Sequence, residues 1–117
     1  MFRTLSILFI FLLLNVSSVS SSNFNYGSGY AAKSVLASQS LINAMDKIDN
    51  RIYAVGEHGI ILYSDDFGDS WTQAESVPYT STLTDISCSS KQSCWVTGHD
   101  ATILHSNDQG VTWIKQY

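Results

Sequence analysis

Apolar and polar residues alternate in short runs along the second part of the chain, from residue 41 to Tyr117. Alternation over about four to eight residues is typical of β-strands that bury one face. The first half of this region carries such runs at residues 41–46, 51–55, 60–63 and 70–74. The second half carries them at residues 83–88, 94–97, 102–105 and 112–117. Gly, Asp and Asn between the runs favour tight turns, so the pattern predicts antiparallel strands and no helix in this region.

The two halves of this region repeat each other with a period of 42 residues, the distance from Ser64 to Ser106 and from Trp71 to Trp113. The repeated phrase reads Ser-x-Asp-x-Gly-x-(Ser/Thr)-Trp. Its fixed positions in the two copies are Ser64, Asp66, Gly68, Trp71, Ser106, Asp108, Gly110 and Trp113. A period of about 40 to 45 residues is typical of four-stranded propeller blades. The sequence therefore predicts an all-β fold of two four-stranded antiparallel blades, a partial β-propeller. Blade 1 with its crossover is expected at residues 41–82 and blade 2 at residues 83–117.

Each repeated residue of this phrase has a structural explanation. Gly68 and Gly110 are expected at turn positions with positive φ, which glycine adopts at low cost. The aspartate is expected to accept hydrogen bonds from N–H groups of its own turn, and the serine to add another local bond. The tryptophan opens the last strand and buries its ring between neighbouring sheets. We therefore assign the phrase to folding and not to catalysis.

The repeated phrase resembles the Asp-box, or bacterial neuraminidase repeat, of β-propellers. The surrounding residues narrow the resemblance to propellers similar to photosystem II stability/assembly factors. They read Leu83-x-x-Ile86-x-Cys88, Cys94-Trp95-x-x-Gly98 and Ile103-Leu104-x-Ser106. The resemblance covers about residues 41–117. It implies a structural box at the periphery of each blade and a non-catalytic role as a protein-interaction or assembly scaffold.

The beginning of the chain is predicted to be a targeting signal. Arg3 precedes an apolar run at residues 5–14, and small residues follow at 16–22, which is the order found in secretory signal peptides. The apolar run is shorter than the roughly 20 residues that span a bilayer, so a retained membrane anchor is the less favoured interpretation. We expect a signal peptide at residues 1–21 and no membrane span after its cleavage.

Residues 22–40 are rich in Ser, Gly, Asn and Ala, a composition typical of linkers. We predict a linker there, with at most one weak strand around residues 30–36. The signal peptide predicts that the protein is secreted or extracytoplasmic, whether in the secretory pathway, in the periplasm or outside the cell.

The chain is acidic, with a formal net charge of −4 at pH 7. Removal of the signal peptide takes away Arg3 and leaves a net charge of about −5. Nucleic-acid phosphates and anionic membrane surfaces both bind clusters of Lys and Arg. Neither nucleic acid nor a membrane surface is therefore an expected partner.

Cys88 and Cys94 are the only cysteines of the sequence. They end one predicted strand and begin the next, so we expect them to face each other across a loop of five residues. In an oxidising compartment this arrangement predicts a disulfide within blade 2. A redox-active pair is the less favoured alternative, and a metal site would need more ligands than these two.

Enzymatic interpretations start from the sialidases, which share the Asp-box. Sialidases hold the substrate carboxylate with an arginine triad, and Arg51 is the only arginine left after the signal peptide is removed. Sialidase activity is therefore excluded for this chain alone. Glu57 and Asp100, near equivalent turns of the two blades, are the carboxylates that would serve another glycoside hydrolase. A carbohydrate-binding or glycoside-hydrolase-type propeller, of which this chain is a part, stays the alternative to a scaffold.

Three histidines raise the question of a metal site: His58, His99 and His105. His58 and His99 lie one place apart in the register of the repeat, and a single histidine on a turn is usually an exposed side chain. We predict no catalytic residue, no metal and no cofactor.

One face of the predicted blades collects several loops. In an antiparallel four-stranded blade, the turn between the second and third strands and the crossover to the next blade emerge on the same side, opposite to the box turns. The residues that this places on one candidate binding face are Glu57, His58, Tyr79, His99 and Asp100. Loops on one side of a rigid propeller are the usual binding surface. A protein partner is expected there.

Two blades do not close a propeller, which needs about four to eight. They leave open sheet edges and an uncovered blade face, which invite pairing with another chain. Three interpretations stay open. The chain is a fragment of a longer propeller, it associates with copies of itself to complete a ring, or it is a degenerate product with little function.

Overall fold

The computed structural model describes residues 29–117. The predicted signal peptide at residues 1–21 and the first part of the linker, up to residue 28, lie outside the described residues. The described chain folds into two four-stranded antiparallel sheets that follow each other in sequence. Between residues 29 and 117, no helix is long and apolar enough to cross a membrane.

Each sheet is a meander in which every strand pairs with the next one along the chain. The strands of the first sheet are β1 (Ile42–Ile48), β2 (Arg51–Gly56), β3 (Ile61–Ser64) and β4 (Thr72–Gln73). Those of the second sheet are β5 (Leu83–Ser90), β6 (Ser93–Gly98), β7 (Ile103–Ser106) and β8 (Ile114–Lys115). The predicted all-β fold with two four-stranded blades is confirmed.

Alternation along β2 directs its side chains toward two different neighbours. Tyr53 and Val55 are fully buried against blade 2, while Ala54 between them is buried against residues that precede β1. The corresponding strand β6 differs, since Val96 is fully buried but Trp95 is 42% exposed. Successive side chains of a strand point to opposite faces. Blade 1 therefore has a neighbour on each face within the described residues, and blade 2 has one on a single face.

One apolar core joins the two blades. It combines Tyr53, Val55 and Ile61 of blade 1 with residues of blade 2, which are Leu83, Ile86, Cys94, Val96, Leu104 and Trp113. Val77 and Tyr79 of the crossover belong to the same core. Full burial of one large apolar side chain stabilises a fold by about 1.5–3 kcal/mol. The contact between the blades is therefore a main source of stability.

Side chains of β1 cap the free backbone edge of β5, with which β1 does not pair. The side-chain amide of Asn43 donates to the Leu83 carbonyl oxygen at 2.9 Å. The carboxylate of Asp46 accepts from the Cys88 N–H at 2.7 Å. Unpaired edge groups invite a further strand, so these bonds both join the blades and protect the edge.

The last strand of each sheet is shorter than predicted. Each begins two residues later than the sequence pattern suggests, β4 at residue 72 and β8 at residue 114. The reason is that Ser70 and Thr112 each donate their N–H to the aspartate of the preceding turn, Asp66 or Asp108. These bonds keep both residues in the turn and delay the strand.

The loop between β5 and β6 also differs from the prediction. A five-residue loop between the two cysteines was expected, but β5 continues to Ser90 and β6 begins at Ser93. Only Lys91 and Gln92 connect the strands. An irregularity in the register after Cys88 lets the longer hairpin form.

Residues 29–40 contain no strand, so the weak strand considered around residues 30–36 is not formed. A 3₁₀ turn spans Ala37–Gln39 instead. This segment is not a free linker. The Ala31 N–H donates to the Val77 carbonyl oxygen at 2.8 Å, and the Gln73 side chain bonds the backbone of residues 32 and 34.

Residues 31–37, which we call the N-terminal strap, cover part of the outer face of blade 1. Ala37 is buried there in a small cluster with Ala54, Ile60 and Leu62. The strap therefore occupies part of the position that a preceding blade would take. Val35 and Leu36, the two apolar residues immediately before Ala37, are exposed.

Candidate functional site

The first box turn, at residues 64–70, is held by hydrogen bonds within the repeated phrase. The Ser64 hydroxyl donates to Asp66 Oδ1 at 2.7 Å and accepts from the Gly68 N–H at 2.9 Å. The same Asp66 oxygen accepts from the Ser70 N–H at 2.8 Å, and the Ser70 hydroxyl donates to the other oxygen. Gly68 has a φ of 88°, in the left-handed region that favours glycine.

The second box turn, at residues 106–112, reproduces this network. The Ser106 hydroxyl donates to Asp108 Oδ1 at 2.8 Å and accepts from the Gly110 N–H at 2.9 Å. The Thr112 N–H donates to the same oxygen at 2.9 Å, and its hydroxyl donates to the other. The repeated serine, threonine and aspartate side chains of both phrases are therefore engaged within their own turns and are not available to a substrate.

Both box aspartates are held in the charged form. Hydrogen bonds from the Ser70 hydroxyl and N–H, followed by the Ser64 hydroxyl, lower the pKa of Asp66 from 3.8 to about 2. Partial burial raises the pKa of Asp108, but the bonds from Thr112 and Ser106 outweigh it, so the pKa is lowered overall. The carboxylates therefore stabilise the turns as anions.

The second box turn also receives an aromatic ring from blade 1. The Tyr53 hydroxyl donates to the Gln109 carbonyl oxygen at 2.7 Å, and the ring lies over Gly110. A Cβ atom built on Gly110 would lie 2.4 Å from the Tyr53 ring, closer than real Cβ atoms come. On Gly68 the same atom would meet only Trp71, at 3.5 Å. The repeat aligns Tyr53 with Trp95, but this local pattern does not reveal the long-range contact with Gly110.

Arg51 joins the two box turns, a structural role that the sequence pattern does not indicate. Its guanidinium group binds both carboxylate oxygens of Asp65, at 2.8 and 2.7 Å. It also donates to the Gln109 carbonyl oxygen at 2.9 Å and lies over the Tyr63 ring. The hydrogen bond to Asp65 raises the pKa of Arg51 and lowers that of the carboxyl group. The only arginine after the predicted signal peptide is thus used between the blades.

The two cysteines form a disulfide, as predicted. Cys88 and Cys94 are opposite partners in the ladder of β5 and β6, with Cα atoms 4.1 Å apart. Cys94 is fully buried in the core between the blades. The disulfide therefore links β5 to β6 at Cys88, the residue whose N–H donates to Asp46.

The loops predicted to form a binding face lie together in the structure. We call this cluster the loop face: residues 56–60, 98–102 and 77–82. The Gly59 N–H donates to the Ser81 carbonyl oxygen at 2.7 Å, and the His99 N–H donates to the Thr82 carbonyl oxygen at 3.1 Å. Both turns are therefore fastened to the crossover between them.

The residues of the loop face differ in exposure. His58, His99 and Asp100 are exposed. Glu57 is partly buried, and its carboxylate accepts from the Leu41 N–H at 3.2 Å.

Tyr79 differs from its expected position on this face. It is only 8% exposed, and its hydroxyl donates to the His99 carbonyl oxygen at 2.9 Å. Its ring also lies against Gly98, where a Cβ atom would come within 2.9 Å. Tyr79 therefore supports the loop face from below, and the exposed surface is formed by its neighbours.

The histidines and carboxylates of residues 29–117 are too dispersed to form a metal site. No group of three or more His, Cys, Asp or Glu side chains lies close enough there to hold an ion. His105, the third histidine, lies away from the loop face and packs on Trp95 with ring centroids 4.2 Å apart.

The sequence matches no family model and no curated protein. Among solved structures, the fold is similar to YCF48 bound to a D1 peptide, with a TM-score of 0.55 and 25% sequence identity; the match covers 63% of this chain and 25% of that one. It is also similar to YCF48 from Cyanidioschyzon merolae, with a TM-score of 0.56 and 25% identity over 65% of this chain and 23% of that one.

The similarity to these structures concerns the architecture of the two sheets. The two sheets resemble propeller blades of YCF48, as the repeat predicted. The matched region is about a quarter of the length of either YCF48 chain. The chain therefore corresponds to a part of those propellers.

Proposed function

We propose that this chain is a non-catalytic Asp-box propeller module, similar to the photosystem II assembly-factor-like propellers, that binds a protein partner at its loop face. The observation that carries this proposal is the similarity to YCF48, one structure of which is bound to a D1 peptide. In this proposal the box residues serve folding, and binding belongs to the opposite side of the blades.

The construction of the loop face supports this role. Three loops are tied together by backbone hydrogen bonds, so little conformational entropy is lost when a partner binds. His58, His99 and Asp100 project from these loops with exposed donors and acceptors. The excess of acidic residues in the chain favours a partner segment that carries Lys or Arg.

Secretion is part of the same proposal. The order of charged, apolar and small residues in the first part of the chain is that of a signal peptide at residues 1–21. A disulfide at Cys88 and Cys94 persists in oxidising compartments, which fits an extracytoplasmic protein. The partner is therefore sought among secreted proteins and the extracytoplasmic domains of membrane proteins.

The test compares two triple variants in affinity capture from the extracytoplasmic fraction. His58→Asn, His99→Asn and Asp100→Asn change the loop face, and asparagine tolerates the left-handed backbone of residues 58 and 100. The control carries three exposed substitutions away from that face: Asp69→Ala, Gln92→Ala and Asn107→Ala. A true partner is retained by the wild type and the control and lost at least tenfold by the loop-face variant.

The D1 peptide serves as a defined probe in a second measurement. On addition of this peptide to the isotope-labelled chain, we expect chemical-shift changes confined to residues 56–60, 77–82 and 98–102. A partner that both triple variants retain equally, or shift changes confined to the box turns, would contradict the assignment of the loop face. A sugar-specific signal on a glycan array would favour the carbohydrate-binding alternative instead.

A further inference from the structure

The outer face of blade 2 is formed by two cross-strand pairs of β6 and β7. Trp95 is paired with His105, and Thr97 with Ile103. Residues directly opposite each other in a ladder share one face of the sheet. Trp95, Thr97 and Ile103 are exposed, and His105 is partly so. This face is the surface that blade 2 leaves uncovered within residues 29–117.

The repeat shows what covers the equivalent face of blade 1. The equivalent pairs, 42 positions earlier, are Tyr53 with Tyr63 and Val55 with Ile61. Three of these four side chains are fully buried against blade 2. The contact between the blades is therefore an internal template for the uncovered face.

At the centre of the contact between the blades, an aromatic ring of blade 1 lies on the second box turn. Tyr53 lies over Gly110 and donates its hydroxyl to the Gln109 carbonyl oxygen. The equivalent of Tyr53 is Trp95, whose indole N–H is also a donor at the edge of a flat ring. The equivalent turn is that of Phe67 and Gly68. Within residues 29–117, no ring of another blade lies over Gly68. The chain thus carries a second ring and a second turn that match those of this contact.

The tryptophan of the first box turn is also less buried than the tryptophan of the second. Trp113, next to the occupied turn, is 3% exposed, whereas Trp71 is only partly buried. The N-terminal strap covers Ala54, Ile60 and Leu62, and Trp71 packs against the edge of this cluster. Gly68 takes no part in the hydrogen bonds that hold the strap, which run to Gln73 and Val77.

We propose that two copies of this chain associate head to tail, with Trp95 of one copy lying on the Phe67–Gly68 turn of the next. The indole N–H then donates to the Phe67 carbonyl oxygen, as the Tyr53 hydroxyl does to that of Gln109 within one chain. The contact joins different surfaces of the two copies, so it builds a closed ring or an open chain of copies rather than a two-fold dimer.

This association is weaker than the internal contact. Three side chains that fasten blade 1 to blade 2 are replaced at the equivalent positions of blade 2. Asn43, Asp46 and Arg51 become Asp85, Cys88 and Ser93. The amide donor and the guanidinium group are lost, and Cys88 is occupied by the disulfide. The copies therefore exchange reversibly, and their association depends on concentration.

The test uses sedimentation velocity on the chain expressed from its full sequence in a secretory host. We expect the mean mass of the wild type to rise with concentration. Trp95→Glu places a charge on the ring position of one surface. Gly68→Asn fills the other surface, while asparagine tolerates the left-handed φ of 88°. Each variant alone is expected to remain monomeric.

An equimolar mixture of the two variants is the decisive measurement. The Trp95→Glu copy retains an intact box turn, and the Gly68→Asn copy retains an intact Trp95. The mixture is expected to form dimers and nothing larger, because one productive contact is left. Tyr117→Glu is the matched control. Tyr117 is exposed, its equivalent in blade 1 is the exposed Glu75, and this variant associates like the wild type.

Several outcomes would overturn the proposal. These are a wild type that stays monomeric at all concentrations, a single variant that associates like the wild type, a mixture that stays monomeric, and a control that loses association. Hydrogen exchange on the wild type gives a check that needs no substitution. Rising concentration should protect the amides of residues 67–71 and 95–97, and protection confined to other residues would also contradict the proposed contact.

Discussion

Gly110 offers a direct measure of the contact between the two blades. Alanine at this position is subject to two separate effects. The backbone has a φ of 80°, which L-residues adopt only with strain, and the new methyl group would lie 2.4 Å from the Tyr53 ring. Gly68 has nearly the same φ, 88°, but its methyl group would lie 3.5 Å from Trp71, an ordinary contact distance. Gly68→Ala is therefore a matched control for the backbone effect.

The expected magnitudes follow from these two geometries. A left-handed backbone costs an L-residue about 1–2 kcal/mol, and this cost applies to both variants. Displacement of the Tyr53 ring from a well-packed core adds about 1–3 kcal/mol, and it applies to Gly110→Ala alone. We expect Gly68→Ala to lower the free energy of unfolding by about 1–2 kcal/mol and Gly110→Ala by about 2–5 kcal/mol.

The assay is equilibrium unfolding in urea at low protein concentration, followed by tryptophan fluorescence and circular dichroism. A double-mutant cycle then identifies the cause of the difference. In a Tyr53→Leu background, Gly110→Ala should lose its additional cost and resemble Gly68→Ala. Equal losses for the two single variants, or an unchanged loss in the Tyr53→Leu background, would refute the contact as the cause.

Three further predictions use the same unfolding assay. The folded-state pKa of Asp66 is about 2, below its ordinary 3.8, so the stability that it contributes is present above pH 4 and lost as the pH falls toward 2. Asp66→Asn should remove its share of this acid-induced loss. Reduction of the Cys88–Cys94 disulfide removes a loop constraint from the unfolded chain, so it should lower the free energy of unfolding by about 2 kcal/mol for so short a loop. Arg51→Leu should cost about 1–3 kcal/mol, because the Gln109 carbonyl oxygen loses a charged donor, whereas Asp65→Asn at an exposed site should cost less than about 1 kcal/mol.

A specific experimental result would contradict each of these predictions. An acid dependence between pH 4 and 2 that is unchanged by Asp66→Asn would show that other groups cause it. A reductant that acts equally on a variant with both cysteines replaced by alanine would act elsewhere than on the disulfide. Equal losses for Arg51→Leu and Asp65→Asn would mean that the ion pair, and not the bond to blade 2, carries the effect of Arg51.

The two box turns were predictable in detail because their bonds are local. Ser64, Asp66 and Gly68 bond one another within four positions, and the repeat displays the same residues twice. Turn chemistry of this kind is visible in the sequence. The strand boundaries next to the turns were less accurate, since the reach of Asp66 to the Ser70 N–H delays the strand in a way that alternation does not reveal.

The candidate binding face was predictable only as a set of loops on one side. Antiparallel connectivity places the turns at residues 57 and 99 beside the crossover, and the structure joins them by hydrogen bonds. The sequence did not reveal which side chains of these loops are exposed and which are buried. Tyr79 resembles a binding residue in sequence, yet its position under His99 makes it a support.

The sequence by itself determined the number of blades, the place of each box and the pair of cysteines, because these depend on residues close together in the chain. Only the tertiary structure decided which aromatic residues are buried. Tyr53 and Trp95 occupy the same position of the repeat, but one is buried and the other is 42% exposed. The reason is physical: burial depends on whether another blade lies against the sheet, and the neighbour of Tyr53 comes from residues more than 50 positions away.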